Sequence, residues 1–235
     1  STPIKSSAAS DVYKRQSSCR EINVYDNDTD DGCLWRFIVM DLLIRFAKME
    51  DAEELLALYT PYVTDTVITF EYEVPSLEEF KDRMRQTMRK YPYLVAEQNG
   101  EILGYSCAGA FKGRAAYDWA VETSIYVKHD KKGQKIGRAL YDALEVQLRR
   151  QNIVNVNACI ASPAIEDAHL TRDSILFHEK LGYQMVGEFH QCGYKFDTWY
   201  NMVWMEKMIG EHQDRMDMPT WFPELSGVQT LLDNL

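Results

Sequence analysis

Glu122 stands in Ala120-Val121-Glu122-Thr123-Ser124, a carboxylate in the middle of a strand-like run. Buried without a partner, such a group is costly, and burial lifts its pKa toward that of a usable general base. On an exposed strand face it is an ordinary solvated acid. His178, in Phe177-His178-Glu179, changes charge near physiological pH and suits an acid. A hydrogen-bonded structural histidine fits the same position. The loop Lys131-Lys132-Gly133-Gln134-Lys135-Ile136-Gly137 has glycines that let backbone amides approach a phosphate and lysines that add charge. A polar turn with solvated lysines has the same composition, and the Gly-Lys-Ser/Thr ending of a Walker A loop is absent. Phe70, Tyr72, Tyr117 and Trp119 offer walls for a small-molecule pocket, or core packing. The guanidinium of Arg114 suits a two-pronged hold on a carboxylate or phosphinate.

These groups need elements to position them. Leu42–Lys48 reads as a short strand. Asp51–Tyr59 reads as a helix with acids in its first turn, which Pro61 stops or redirects. Ser76-Leu77-Glu78-Glu79 has capping-box spacing ahead of a helix over Leu77–Arg89, ended by Pro92. Tyr93–Glu97 and Ile102–Ala110 flank Asn99-Gly100, a hairpin turn signal. Trp119–Val127 and Ile153–Ile160 read as strands on either side of an amphipathic helix, Ile136–Arg150. Asp173 is expected to cap a helix over Ser174–Leu181 that Gly182 ends, before strands at Tyr183–His190 and Thr198–Glu206. The order β-α-α-β-β-β-α-β-α-β-β predicts an α/β domain with a single mixed sheet flanked by helices. Free N–H groups and the helix dipole make the loop before Ile136 a place for an anion.

Composition narrows the classes. The 235 residues are 46% hydrophobic and carry a formal net charge of -10. No Lys/Arg run supplies the basic face a nucleic-acid binder needs. No apolar run reaches the roughly 18 residues of a membrane span. Cys19, Cys33, Cys107, Cys159 and Cys192 are odd in number and widely spaced. That speaks against zinc and a disulfide framework and for a reducing compartment, with the cysteines in apolar runs as small core residues. Residues 1–40 lack lasting periodicity, and Ser7–Gln16, SAASDVYKRQ, looks like translated sequencing-adapter read-through. They are expected to be a disordered, non-native extension with Met40 as the native start. Residues 41–209 form the domain and 210–235 a tail. Its Trp221 and Phe222 cover either a partner or the protomer itself, and Gly227–Leu235 is a short helix or a frayed end.

The runs AYDWAVETSIYV and SILFHEKLGY, with the Lys-Gly loop and its helix between them, resemble the GNAT acetyltransferase superfamily. Within it the chain is most similar to the phosphinothricin N-acetyltransferase group, from about Leu42 to Glu206. The resemblance implies a mostly antiparallel sheet splayed centrally between Trp119–Val127 and Ile153–Ile160. The pantetheine arm of acetyl-CoA lies in that cleft like an added strand. Ile125, Tyr126 and Val127 are implied to offer it main-chain contacts. Lys132, Gly133, Gln134, Lys135, Ile136, Gly137 and Arg138 are implied to hold the pyrophosphate, and Ser174 to touch the cofactor. Glu122 matches the family's general base. His178 matches the acid position, where many members carry Tyr and this group carries His. Phe70, Arg114 and Tyr117 match the region around the substrate. No metal is implied, because a thioester is already activated.

Two departures stand out. Lys132 and Lys135 replace the first residue and the first glycine of the loop pattern Gln/Arg-x-x-Gly-x-Gly/Ala, so Gly133 is left to take the strained turn. Ser162–Arg172 is longer than in the group, and Thr171 stands where the family has Asn. The implied protein is a cytoplasmic, homodimeric N-acetyltransferase. It moves acetyl from acetyl-CoA to the primary amine of a small amino acid-like substrate of the phosphinothricin or methionine sulfoximine type. A non-catalytic acyl-CoA sensor and a protein N-acetyltransferase stay open, although aromatics near Thr66–Pro75 would narrow a peptide groove.

Overall fold

A computed structural model describes residues 42–225 and, before them, the backbone of two short strands, β1 (Asn23–Tyr25) and β2 (Arg36–Val39). The rest of 1–41 and residues 226–235 lie outside the described residues, and with them most of the expected N-terminal extension and the expected C-terminal helix. The elements that follow are β3 (Leu42–Phe46), α1 (Ala52–Thr64), α2 (Leu77–Met88), β4 (Tyr93–Gln98), β5 (Glu101–Ala110) and β6 (Ala120–Val127). After these come α3 (Ile136–Arg150), β7 (Asn155–Ser162), α4 (Asp173–Lys180), β8 (Gln184–Lys195) and β9 (Thr198–Met208).

One sheet runs in the order β1-β2-β3-β4-β5-β6-β7-β9-β8. Every neighbouring pair is antiparallel except β6–β7, which is parallel. Alternation along the strands divides the core. Leu94 and Ala96 of β4 join Leu140, Leu144 and Leu148 of α3 on one face. Tyr93 and Val95 join Leu55, Tyr59 and Tyr62 of α1 and Phe80 and Met84 of α2 on the other. The α/β mixed sheet flanked by helices is therefore as the sequence predicts.

Local chemistry explains most boundaries. Ser76 and Glu79 form the expected capping box, each accepting from the other's backbone N–H. Asn99 (φ 54°) and Gly100 (φ 81°) make the β4–β5 turn, and Gly182 (φ 91°) ends α4. Two expectations fail locally. Pro61 does not stop α1, because the turn it begins buries Tyr62 (3% exposed) and Val63 (1%). That burial offsets the lost bond to the Ala57 carbonyl. Asp173 is the first residue of α4 rather than its cap, and Arg172 precedes it without a side-chain cap bond. The tail is better ordered than its composition suggests. Phe222 is buried edge-on against Phe46, Trp221 packs on Tyr91, and the Asp217 carbonyl accepts from Trp119 Nε1 at 2.9 Å. The two tail aromatics thus cover the protomer itself.

Candidate active site

The pairing of β6 with β7 is short. Ala120, Val121 and Glu122 face Asn155, Val156 and Asn157, and there the register ends. Side chains close the ladder: Thr123 Oγ1 donates to the Asn157 carbonyl (3.2 Å) and Asn157 Nδ2 to the Val121 carbonyl (3.1 Å). Beyond them the strands part around a narrow cleft. Its lining comes from both faces of the sheet, including Glu122, Ser124 and Tyr126 on the α1 side and Ile125, Tyr141, Ser174 and His178 on the α3 side. Lys128 N–H donates to Leu103, toward β5. Alternation therefore turns the backbone N–H and C=O of Ile125 and Val127 toward the gap. Those of Val127 already bond to Tyr62 Oη, which donates to the carbonyl and accepts from the amide. Ile125 is left as the rung best placed to pair with an extended ligand.

Glu122 is half-buried at the closed end of the cleft. Burial raises its pKa above the ordinary carboxylate value, and the positive Lys112 pulls it partly back. Lys112 follows β5, its Nζ lying 5.0 Å from the centre of the Trp204 ring and 4.7 Å from that of Phe111. With Tyr117, Trp119, Phe189 and Trp204 it lines a recess of about 1550 Å³, open to solvent. This recess adjoins the sheet at Ala120 and Asn157, the immediate neighbours of Glu122. The carboxylate thus lies where a narrow cleft through the sheet meets a broad aromatic recess beside it. Lys112 was not singled out from the sequence.

His178 is 3% exposed. Its Nδ1 lies 2.7 Å from the Ser174 carbonyl, so Nδ1 carries the proton and donates it. Nε2 is then an acceptor, 3.2 Å from Tyr141 Oη. Burial lowers the His178 pKa to about 4, the backbone bond opposing only weakly. The expected role of an imidazolium acid near neutral pH does not match these surroundings, because the ring is neutral there. Its Nε2 instead holds the hydroxyl of Tyr141, which itself lines the cleft.

The loop before α3 is left-handed at two residues, Gly133 (φ 80°) and Lys135 (φ 66°). Gly133 therefore does not relieve Lys135, which keeps a side chain in a conformation that favours glycine. Gly137 serves packing: a Cβ there would lie 3.0 Å from the Phe177 ring. The exposed Lys132 sits over the Tyr62 ring at 5.6 Å.

The structure thus brings Glu122, Ile125, Tyr126, Ser174 and His178 to one cleft. Tyr117 lies in the neighbouring recess. Arg114 is exposed at the start of a short turn, Ala115–Tyr117, and lines neither space. Phe70 packs against Val67, Ala161, Leu170 and Tyr200, behind the cleft wall. Among the described residues Cys107, Cys159 and Cys192 are free thiols, and Cys159 and Cys192 are exposed rather than core. Also among these, no group of three His, Cys, Asp or Glu gathers as a metal site, and no helix is long and apolar enough to cross a membrane.

Residues 44–204 match the family of the acetyltransferase (GNAT) domain. The chain is 30% identical over 164 residues to a phosphinothricin N-acetyltransferase of Streptomyces viridochromogenes, covering 70% of this chain and 86% of that one. It is 32% identical over 172 residues to the L-methionine sulfoximine/L-methionine sulfone acetyltransferase of Pseudomonas aeruginosa, covering 71% and 94%. Among solved structures, the phosphinothricin acetyltransferase of Sinorhizobium meliloti in complex with acetyl-CoA superposes with a TM-score of 0.70. It is 28% identical and covers 79% of this chain and 98% of its own.

The buried neutral His178 makes stability depend on pH. The unfolded imidazole takes up a proton as pH falls below its ordinary value of 6.5, while the folded one stays neutral down to about 4. Stability is therefore lost across that window, by about 2 kcal/mol at pH 5. Urea titrations at pH 7 and pH 5 should show that loss in the wild type and a smaller one in His178→Gln; equal losses would remove the argument.

Proposed function

The chain belongs to the GNAT acetyltransferase family, and from that premise we propose that it is an N-acetyltransferase acting on small molecules. It moves acetyl from acetyl-CoA to the primary amine of an amino acid-like substrate of the phosphinothricin or methionine sulfoximine type. The observation that carries the reading is the place of Glu122, a half-buried carboxylate between a through-sheet cleft and an aromatic recess.

When bound, acetyl-CoA supplies an acyl group already activated as a thioester. The open rung at Ile125, Ser174 in the cleft wall and the amides from Lys132 to Arg138 are the groups that would hold it. Glu122 takes the proton that an ammonium substrate must lose, directly or through water. Lys112, across from Glu122, provides the opposite charge. A zwitterion fits such a pair, with its ammonium toward Glu122 and its carboxylate toward Lys112. Phe111, Tyr117 and Trp204 give its side chain an apolar wall. Lys112 therefore takes the carboxylate-holding part that Arg114 was expected to play. In the Tyr141–His178 pair the phenol donates its one proton to His178 Nε2, so Tyr141 offers the cleft an acceptor oxygen that His178 holds in place.

The reading places the enzyme in the cytoplasm, which its free thiols support. It works as a homodimer, with neither nucleic acid nor membrane as partner. The exposed Val186, Phe189, Tyr194 and Trp199 of the β8–β9 edge support a self-association surface. Sedimentation should give twice the monomer mass, with Phe189→Asp shifted toward monomer; a wild-type monomer at micromolar concentration would refute the dimer.

An acetyl-CoA turnover screen against amino acids and their analogues tests the activity itself. Tight acetyl-CoA binding with no thiol released from any amine would favour the sensor reading instead. Glu122→Gln should lower kcat by about 10²–10⁴. It should also erase the rise in rate as pH climbs through the raised pKa of Glu122. An unchanged pH profile would remove its role as base. Lys112→Met should raise KM for carboxylate-bearing amines by roughly 10–100-fold while sparing amines without a carboxylate. Equal effects on both classes would reject the charge pairing.

A further inference from the structure

The tip of the β8–β9 hairpin reaches back to the loop that follows α1. Lys195, the last residue of β8, is 3% exposed. Its Nζ donates to the carbonyls of Val63 (2.7 Å), Thr66 (2.8 Å) and Thr69 (2.9 Å). Three protons meet three acceptors, at the negative end of a helix dipole. The same tip makes further ties. Tyr72 Oη donates to the Tyr194 carbonyl. Phe196 stacks on His169 at 3.9 Å, and His169 Nδ1 lies 2.9 Å from the Asp65 carbonyl. At Gly193 a Cβ would fall 2.1 Å from the Phe70 ring, so strand backbone and ring are in direct contact. The loop held in this way carries Ile68 into the wall of the cleft that contains Glu122, and the loop held against it by His169 carries Leu170.

We infer that Lys195 is a positioning residue for the active cleft: its ammonium fixes the loop at residues 65–72 so that Ile68 and Leu170 close over the reacting ends beside Glu122, without itself touching either reactant. The inference rests on the acetyl-transfer reading above. A truncated side chain leaves three carbonyls bare in a place shut off from water, and the loop must lift to hydrate them. The loop 132–138, which would hold the diphosphate of acetyl-CoA, lies on another element, so most of the cofactor's hold should survive the change.

The test compares wild type, Lys195→Met, and Lys195→Ala with and without added propylammonium, a cation small enough to refill the site. Both variants should keep their acetyl-CoA Kd within about twofold and lower kcat by roughly tenfold or more. Propylammonium should restore part of the loss in Lys195→Ala and none in wild type or Lys195→Met. Amide hydrogen exchange adds a readout free of turnover: exchange should quicken at 65–72 and 167–170 and stay unchanged in α3. Wild-type constants in the folded variants would overturn the inference. So would a loss of acetyl-CoA affinity as large as the loss of kcat, or exchange that is unchanged or quickened throughout. Failure of the wild type to turn over any amine, with the local exchange result intact, would instead sink the transferase reading and leave the clamp standing.

Discussion

Three backbone rungs join β6 to β7, and the place where they stop decides what the rest of the molecule can do. A parallel pair in mid-sheet would ordinarily run the length of both strands. Here the side chains of Thr123 and Asn157 take up the carbonyls at its end, so the ladder is capped rather than frayed. The strands diverge without stranding buried polar groups at the fork. β5 on one side and β9 on the other pair fully with the divergent strands and keep each straight. The gap is a permanent feature of the fold, backed by α3 and α4, rather than a flaw in the sheet.

Glu122 draws its chemistry from standing at that fork. One residue earlier, Val121 is fully buried, and one later, Thr123 is engaged in the cap. Between them the carboxylate is shielded enough to raise its affinity for a proton, an effect that the charge of Lys112 partly offsets. His178 shows another use of burial. Its ring is so enclosed that it stays uncharged and serves as a fixed acceptor for Tyr141. Burial in one cleft thus favours the uncharged form of both groups, raising the carboxylate and lowering the imidazole.

The fold was largely legible in the sequence because its signals are local. The four-residue repeat of α3, the Ser76 capping box, Asn99-Gly100 and Gly182 each carry their own geometry. What failed depended on distant contacts. Pro61 reads as a stop until the burial of Tyr62 and Val63 is known. The strand β7 begins two residues later than its apolar run, because Ile153 N–H bonds back to Leu148 at the end of α3. The site was legible in part. Glu122 and His178 could be found by motif, but the protonation state of His178 depends on the carbonyl of Ser174 and on Tyr141, a residue on another helix. Lys112 and Arg114 are two residues apart and both exposed, and only the direction of the chain after β5 brings one of them near Glu122. Lys195 carries no local sign at all, since its three acceptors lie more than a hundred residues away.

Lys135 shows a trade made in the backbone. A glycine in that left-handed position would be at ease but uncharged, and the loop has accepted strain to keep a cation where the amides of α3 converge. With Lys131 and Lys132 close in sequence, the exposed lysine would, on the proposed reading, add charge to the hold that the loop amides have on a diphosphate. Charge at an open surface is weakened by dissolved salt far more than enclosed hydrogen bonds are. A grip of that kind would follow the ionic strength of its surroundings, slackening in brine while the cleft beyond it keeps its shape.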